Sequence, residues 1–276
     1  MSVWFAALMG LVQGLTEFLP VSSSGHLVLI HSWFGADIEH DYMLFDILLH
    51  LGTLVSVFIC FWPDIKALIL EFIRFVPDLL SGKPQINKNP VRRMGIMLII
   101  ATLPMVIMPF INDKIEVLFT SPQIVGLMLL VTSVMLLVGD RLGGGKKKAA
   151  TATWKDALII GIMQLFAVIP GISRSGTAMT GGKIRGFTQK FAVKFSFLMS
   201  IPVIIGANIF SIADALQESF DPALLLPYGV GIVIAAISGI CAIQMVRMIA
   251  RKTNFRAFSI YCAILGIITI ITGFIK

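Results

Sequence analysis

Residues 157–182 read ALIIGIMQLFAVIPGISRSGTAMTGG, an apolar run broken by the polar turn Pro170-Gly171-Ile172-Ser173-Arg174-Ser175-Gly176. What flanks this run decides how it sits. Before it, 140–156 carries Arg141, Lys146, Lys147, Lys148 and Lys155; after it come Lys183, Arg185, Lys190 and Lys194. Basic residues concentrate in the cytoplasmic loops of membrane proteins, so both ends of the run belong on one side. A segment too apolar for water that enters and leaves on the same side is a re-entrant helical hairpin, with its tip at the polar turn.

Composition supplies the membrane setting. Of 276 residues, 57% are hydrophobic and 13% charged, with a mean hydropathy of +0.92; soluble domains cover their surfaces with about 25% charged residues. Six further apolar stretches approach the roughly 20 residues a spanning helix requires: 42–62, 94–111, 123–139, 195–213, 227–246 and 258–275. Backbone groups in hydrocarbon have no water partners, so these stretches are expected to be helices. The net charge of +7 sits in the loops between them, which reads as positive-inside topology and attraction to anionic lipid, with no nucleic-acid partner. Cys60, Cys241 and Cys262 all fall within apolar runs, and their odd number argues against a disulfide or metal framework. The start, Met1-Ser2-Val3-Trp4, has no basic n-region and reads as a retained segment.

Loop charge orients the spans. Loop 63–93 carries Lys66, Arg74, Lys83, Lys88, Arg92 and Arg93, and turn 247–257 carries Arg247, Arg251, Lys252 and Arg256; both read as cytoplasmic. Loop 112–122 has one Lys, and 214–226 has Asp214, Glu218 and Asp221 without a basic residue, so both read as external. Tyr42, beside the acidic stretch Asp37-Ile38-Glu39-His40-Asp41, is then external, and 3–34 becomes a second re-entrant hairpin. Its tip lies near Pro20-Val21-Ser22-Ser23-Ser24-Gly25. Gly10, Gln13, Ser22, Ser24 and Gly25 match Gly161, Gln164, Ser173, Ser175 and Gly176 at one constant offset, with Pro20 and Pro170 one residue out of register. The expected fold is an all-α polytopic membrane protein of two inverted-topology repeats, 1–139 and 157–276, each a hairpin followed by three transmembrane helices. Residues 140–156 form the cytoplasmic linker, and the Gly143–Lys148 segment reads as its flexible part. That segment lacks the Ser or Thr and the strand of a P-loop, so no nucleotide site is expected there. Inverted repeats with broken helices place the functional site where the hairpin tips meet.

Ionisable groups at membrane depth are costly and are functional candidates by default. Gln13 and Glu17, spaced i, i+4, share one face of a helix that Pro20 stops. One of Ser22, Ser23 and Ser24 caps the next helix, whose first turn holds His26 where exposed N–H groups favour an anion. The second hairpin repeats the device with Ser173 and Ser175 around Arg174, a planar fork of donors suited to phosphate. Together these groups suit binding and hydrolysis of a phosphorylated ligand with its tail in the bilayer. Plainer readings stand beside this one. The serines can serve only as caps, Glu17 can simply neutralise Arg174, and His31 reads as structural. Asp46 and His50, also i, i+4, form either an outer layer of the site or an interfacial pair.

The stretch Gln13-Gly14-Leu15-Thr16-Glu17-Phe18-Leu19-Pro20-Val21-Ser22-Ser23-Ser24-Gly25-His26 resembles the first signature of the bacterial undecaprenyl-diphosphate phosphatases, or bacitracin-resistance proteins. Pro170–Gly176 resembles the second, and the likeness includes Leu51-Gly52-Thr53. The resemblance implies a multi-pass enzyme of the bacterial plasma membrane that hydrolyses undecaprenyl diphosphate to undecaprenyl phosphate and phosphate. It also implies a divalent cation, Mg²⁺ or Ca²⁺, held by Glu17 and Gln13. Glu17, Ser23, His26 and Arg174 are the catalytic candidates, with Ser22, Ser24, Ser173, Ser175 and Thr177 binding substrate. Ser23 or a water attacks, with His26 as base or acid; Ser23 and His26 both remain candidate nucleophiles. Gln13 stands where the family varies between Glu and Gln, and Thr177 and Thr180 compete for its threonine position. Membrane lipid and the polyprenyl diphosphate are the expected partners, and a homodimer is compatible with the sequence. The rival readings are a flippase for a phosphorylated polyprenyl lipid and a phosphatase class needing a second His after its Arg. His50 is the last histidine, so the latter fails.

Overall fold

A computed structural model of the chain describes residues 1–34, 40–86, 89–110, 118, 121–215, 221–252 and 254–275. Asp37, Glu39, the stretch 111–117 and Glu218, used above to orient loops, lie outside them. The described chain is helical: α1 Val3–Phe18, α2 Ser23–Phe34, α3 His40–Leu80, α4 Pro90–Thr102 running into a 3-10 segment Leu103–Phe110, and α5 Pro122–Leu142. In the second half come α6 Trp154–Phe166, α7 Arg174–Ile184, α8 Gln189–Ala215, α9 Leu225–Lys252 and α10 Arg256–Ile275.

Local chemistry sets where the helices begin. Ser2 caps α1, Asn89 accepts from the Arg92 N–H at the start of α4, and Thr153 with Asp156 forms a reciprocal capping box on α6. Six stretches, Leu44–Leu80, Pro90–Met108, Pro122–Leu142, Gln189–Ile209, Pro222–Arg251 and Arg256–Phe274, are long and apolar enough to cross a membrane. The other four helices are not. At 16, 12, 13 and 11 residues, α1, α2, α6 and α7 run only about 16–24 Å, against a hydrocarbon core of about 30 Å.

The first span continues beyond the expected 62 as far as Leu80, through Pro63 and Pro77. Where the span was expected to end, the helix kinks at Phe61, with φ −121° and ψ 18°. Pro63 removes one backbone donor. Beside it, Arg247 Nη2 donates to the Cys60 carbonyl at 2.8 Å and its guanidinium stacks 4.0 Å from the Phe61 ring centre. Beyond the kink, Lys194 holds Asp64 at 2.6 Å, and buried Arg92 holds Glu71 and Asp78 at 2.7 Å each.

Helices of the two halves interleave. α1 lies along α9 and α6 along α4, while α3 packs on α8 and α5 on α10. Glycines allow the closest approaches. A Cβ on Gly10 would stand 2.4 Å from the Gly231 carbonyl oxygen on α9, and one on Gly161 2.3 Å from that of Ala101 on α4. Without a hydrophobic drive between helices in lipid, such small-residue contacts carry much of the association. An aromatic cluster closes the core beside the end of α1, with Phe197 edge-on to Phe18 at 5.4 Å and to Phe61 at 5.8 Å.

The Gly143–Lys148 linker, expected to be flexible, is fastened. Lys147 N–H donates to Gly186 O at 3.0 Å, and Thr188 N–H donates to Lys147 O at 2.9 Å. The Lys147 ammonium and the Arg185 guanidinium both reach fully buried Asp156, at 2.9 and 2.8 Å. Burial pushes the Asp156 carboxyl up, but bonds from Lys147, Thr153 and Arg185 outweigh it and hold the group below the usual aspartate range. The sequence signal for flexibility was glycine content, which is blind to a buried carboxylate eight or more residues on.

Candidate active site

The two tips meet. A Cβ on Gly25 would lie 3.2 Å from Gly171 Cα, and one on Gly176 3.2 Å from Pro20 Cβ. Ser175 Oγ donates across to the Leu19 carbonyl at 3.1 Å. Each tip starts its second helix in the same way. Ser22 Oγ accepts from Gly25 N–H at 3.3 Å, and Ser173 Oγ from Gly176 N–H at 3.1 Å. Both cap hydroxyls also approach the serine two residues on: Ser22 to Ser24 at 3.4 Å and Ser173 to Ser175 at 3.3 Å. The backbone reaches this geometry by two routes, since Ser22 itself has φ +70° whereas the second tip places the positive φ on Gly171, at +98°. A serine in that region is strained by the order of 1 kcal/mol or more. Thr132 of α5 braces the second tip, donating to Gly171 O at 2.8 Å and accepting from Ser173 N–H at 3.0 Å.

Glu17 is the hub. Its carboxylate, in a residue 5% exposed, takes four approaches. Arg174 Nη2 donates to Oε1. Ser23 Oγ donates to Oε2 at 2.6 Å and Gln13 Nε2 at 3.1 Å, with His50 Nε2 3.7 Å from the same oxygen. The plain and the chemical readings of Glu17 are therefore both built in: it neutralises Arg174, and it grips a serine hydroxyl. The Gln13 carbonyl oxygen, on a residue with 0% exposure, has no hydrogen-bond partner among the described residues. Its repeat mate Gln164 is equally buried, and neither atom of that amide has a partner among the described residues. Val168 stands at the second-hairpin position that Glu17 holds in the first.

His26 takes up a different contact from the Ser23 pairing that the sequence suggested. Its Nδ1 lies 2.7 Å from the Ser22 carbonyl, which can only accept, so Nδ1 carries the proton. Its Nε2 lies 2.7 Å from the Tyr261 hydroxyl, and the two rings are parallel within 4° at 5.7 Å. Tyr261, on α10, escaped the sequence reading altogether. The available signal was that a phenol, one of three tyrosines in the chain, falls within the apolar span 258–275. Of the threonine candidates, Thr177 turns its hydroxyl back to Ser173 O at 2.7 Å, and Thr180 packs against Gly139. His31 lies 3.5 Å from Asp46, and His50 donates from Nδ1 to the Asp46 carbonyl at 2.7 Å.

Residues 6–268 match the family model of the bacitracin resistance protein BacA. The chain belongs to this family. Over nearly its full length the chain is similar to the undecaprenyl-diphosphatase of Alkaliphilus metalliredigens, 40% identical with 98% of each chain covered. The undecaprenyl-diphosphatases of Methanosphaera stadtmanae (39% identical, 96% of each chain) and Halothermothrix orenii (36%, 98% of each) are similar over the same extent. For a bacitracin resistance protein, the meeting of Glu17 and Arg174 between the tips is the place where charge, hydroxyls and two helix N-termini converge.

Proposed function

We propose that the protein hydrolyses undecaprenyl diphosphate to undecaprenyl phosphate and inorganic phosphate, at the junction of its two tips. The observation that carries this reading is the buried Glu17–Arg174 pair with Ser23 donating to the same carboxylate, in a chain whose full-length relatives are named for that activity. We place the protein in the bacterial plasma membrane. The short α1–α2 and α6–α7 pairs are re-entrant hairpins of two inverted repeats. Support comes from their lengths, the constant motif offset and the exchange-symmetric pairing of α1 with α9 and α6 with α4.

In the resting site Arg174 is bound to Glu17. A diphosphate competes for the guanidinium and for the N–H groups opening α2 and α7, the natural place for an anion. Ser23 Oγ then attacks the terminal phosphorus, and its proton moves along the existing hydrogen bond to Glu17. The new O–P bond forms as the anhydride P–O bond breaks, and undecaprenyl phosphate leaves with that bond's electron pair. Water next attacks the phosphoserine phosphorus, giving inorganic phosphate and restoring the Ser23 hydroxyl. His26, with Nδ1–H fixed on Ser22, offers Nε2 as the base for this water once the Tyr261 hydroxyl turns aside. Arg174 and the helix N-termini offset the charge that develops on the transferred group.

Among the described residues no three of His, Cys, Asp and Glu gather into a metal cluster. The Gln13 amide, whose nitrogen now meets Glu17 and whose oxygen is unpartnered, would on turning over offer that oxygen to a hard cation that takes few protein ligands and completes its shell from phosphate and water. Glu17 and Gln13 would hold it, and when bound it would neutralise diphosphate charge. The test is phosphate release from undecaprenyl diphosphate by the purified protein in detergent, where no gradient can drive transport. Release with added divalent cation supports the enzyme; none, from monodisperse protein, refutes it and favours the flippase.

A further inference from the structure

We propose that His50 is a nitrogen ligand of the divalent cation, completing with Glu17 and Gln13 a three-donor set that favours Mn²⁺ over Mg²⁺ and Ca²⁺. The proposal rests on the reading of Glu17 as the cation's carboxylate and adds a residue on a different helix. His50 Nδ1 lies 2.7 Å from the Asp46 carbonyl, an acceptor only, so Nδ1 carries a proton and the neutral ring presents its lone pair at Nε2. That lone pair faces Glu17 Oε2 at 3.7 Å. When the ring is neutral two electron-rich atoms face each other, with the His50 side chain 32% and that of Glu17 3% exposed, and either a second proton on the ring or a metal cation between them satisfies both. A metal-bound histidine characteristically donates its second ring N–H to a carbonyl or carboxylate, as His50 does to Asp46.

The spacing fits. Donors about 2.2 Å from a common ion and separated as these are subtend roughly 115° at it. The third donor is the Gln13 amide. Its nitrogen stands 3.1 Å from the same Glu17 oxygen, while its own carbonyl oxygen is fully buried without a partner among the described residues. A half-turn of the amide exchanges the two atoms and presents the oxygen toward Glu17. The carboxylate has about four lone-pair sites, so the bonds from Ser23 and Arg174 persist alongside a bound ion. Imidazole raises affinity for first-row transition ions over Mg²⁺ and Ca²⁺, which prefer all-oxygen shells.

The experiment is electron paramagnetic resonance of Mn²⁺ titrated into the purified full chain in detergent. Expected are one tightly bound Mn²⁺ per chain, a ¹⁴N modulation typical of coordinated imidazole, and displacement that needs Mg²⁺ or Ca²⁺ in large excess. His50→Gln, matched in thermal unfolding to the parent, loses the ¹⁴N signal and weakens Mn²⁺ by about tenfold or more; His26→Gln keeps the signal. Bound Mn²⁺ with no ¹⁴N coupling, or coupling that disappears in His26→Gln instead, overturns the His50 assignment and leaves Glu17 as the cation's carboxylate. Protein that releases phosphate with Mg²⁺ or Ca²⁺ but binds no Mn²⁺ overturns the proposal, while Glu17 as the carboxylate for those ions and the phosphatase reading both stand.

Discussion

Arg174→Ala separates what the Glu17–Arg174 pair does for the fold from what it does for catalysis. In the parent, the Glu17 side chain is 3% exposed and that of Arg174 18%, so neither charge has much recourse to water. Removing one partner of a buried pair costs about 3–5 kcal/mol, chiefly because the other charge stays behind unpaired. At roughly 2–4 °C per kcal/mol for a chain of this size, the midpoint of thermal unfolding should fall by about 6–20 °C. Ser23 and Gln13 still donate to Glu17 and moderate the loss, which favours the lower end. Adding Glu17→Gln removes the stranded charge and keeps an oxygen that can accept from Ser23. The double variant should therefore recover most of the lost stability while both variants lose turnover by about 10²-fold or more. Near-ultraviolet circular dichroism on heating in detergent reads the first quantity, and phosphate release the second. If the double variant melts no higher than Arg174→Ala, the loss comes from missing guanidinium packing and the charge reasoning is wrong.

Three further outcomes follow from other contacts. Ser23→Ala should reduce turnover by more than about 10³-fold, whereas Ser24→Ala, which loses only a 3.4 Å hydroxyl contact, should cost less than about tenfold; equal effects would remove Ser23 as nucleophile. Asp156→Asn should lower the unfolding midpoint at neutral pH. Because the folded Asp156 titrates below its ordinary 3.8, its stabilisation is complete above that value and is lost as pH falls through the depressed one. The parent should accordingly lose more stability than Asp156→Asn on acidification in that range. Gly161→Ala, whose Cβ would collide with the Ala101 carbonyl at 2.3 Å, should destabilise by about 1–3 kcal/mol. Gly206→Ala, with nothing within 4 Å, should stabilise its helix by up to about 1 kcal/mol, and thermal unfolding distinguishes the two signs.

The spans and the polar tips were readable because apolar length and Pro-Ser-Gly interruption are local signals. Ser22 and Ser173 could be read as caps for the same reason. That Glu17 meets Arg174 was accessible only through the repeat, which implied that the tips face each other. What could not be read depends on contacts without local signature. Tyr261 comes from the last helix, and nothing in the sequence around it points to His26. The i, i+4 spacing singled out His50, but only the packing of α1 on α3 brings it to Glu17. The continuation of α3 past 62 was missed because 63–93, with its six basic residues, read as a loop. Here Arg247, nearly two hundred residues away, takes up a carbonyl at the kink.

The Glu17–Arg174 pair joins residues 157 positions apart, and a ribosome adds about 5–20 residues per second, so they are made about 8–30 s apart. Throughout that interval the nascent first hairpin carries an acid group with no counter-charge. Placing an ionised carboxylate in hydrocarbon is costly, so the hairpin must wait in water or at the translocation channel, or enter uncharged. For the re-entrant hairpin we propose, the final depth is then set when the second tip arrives. A chain arrested before Arg174 should therefore leave Glu17 reachable by water-soluble carboxyl reagents, and release of the full chain should close it off.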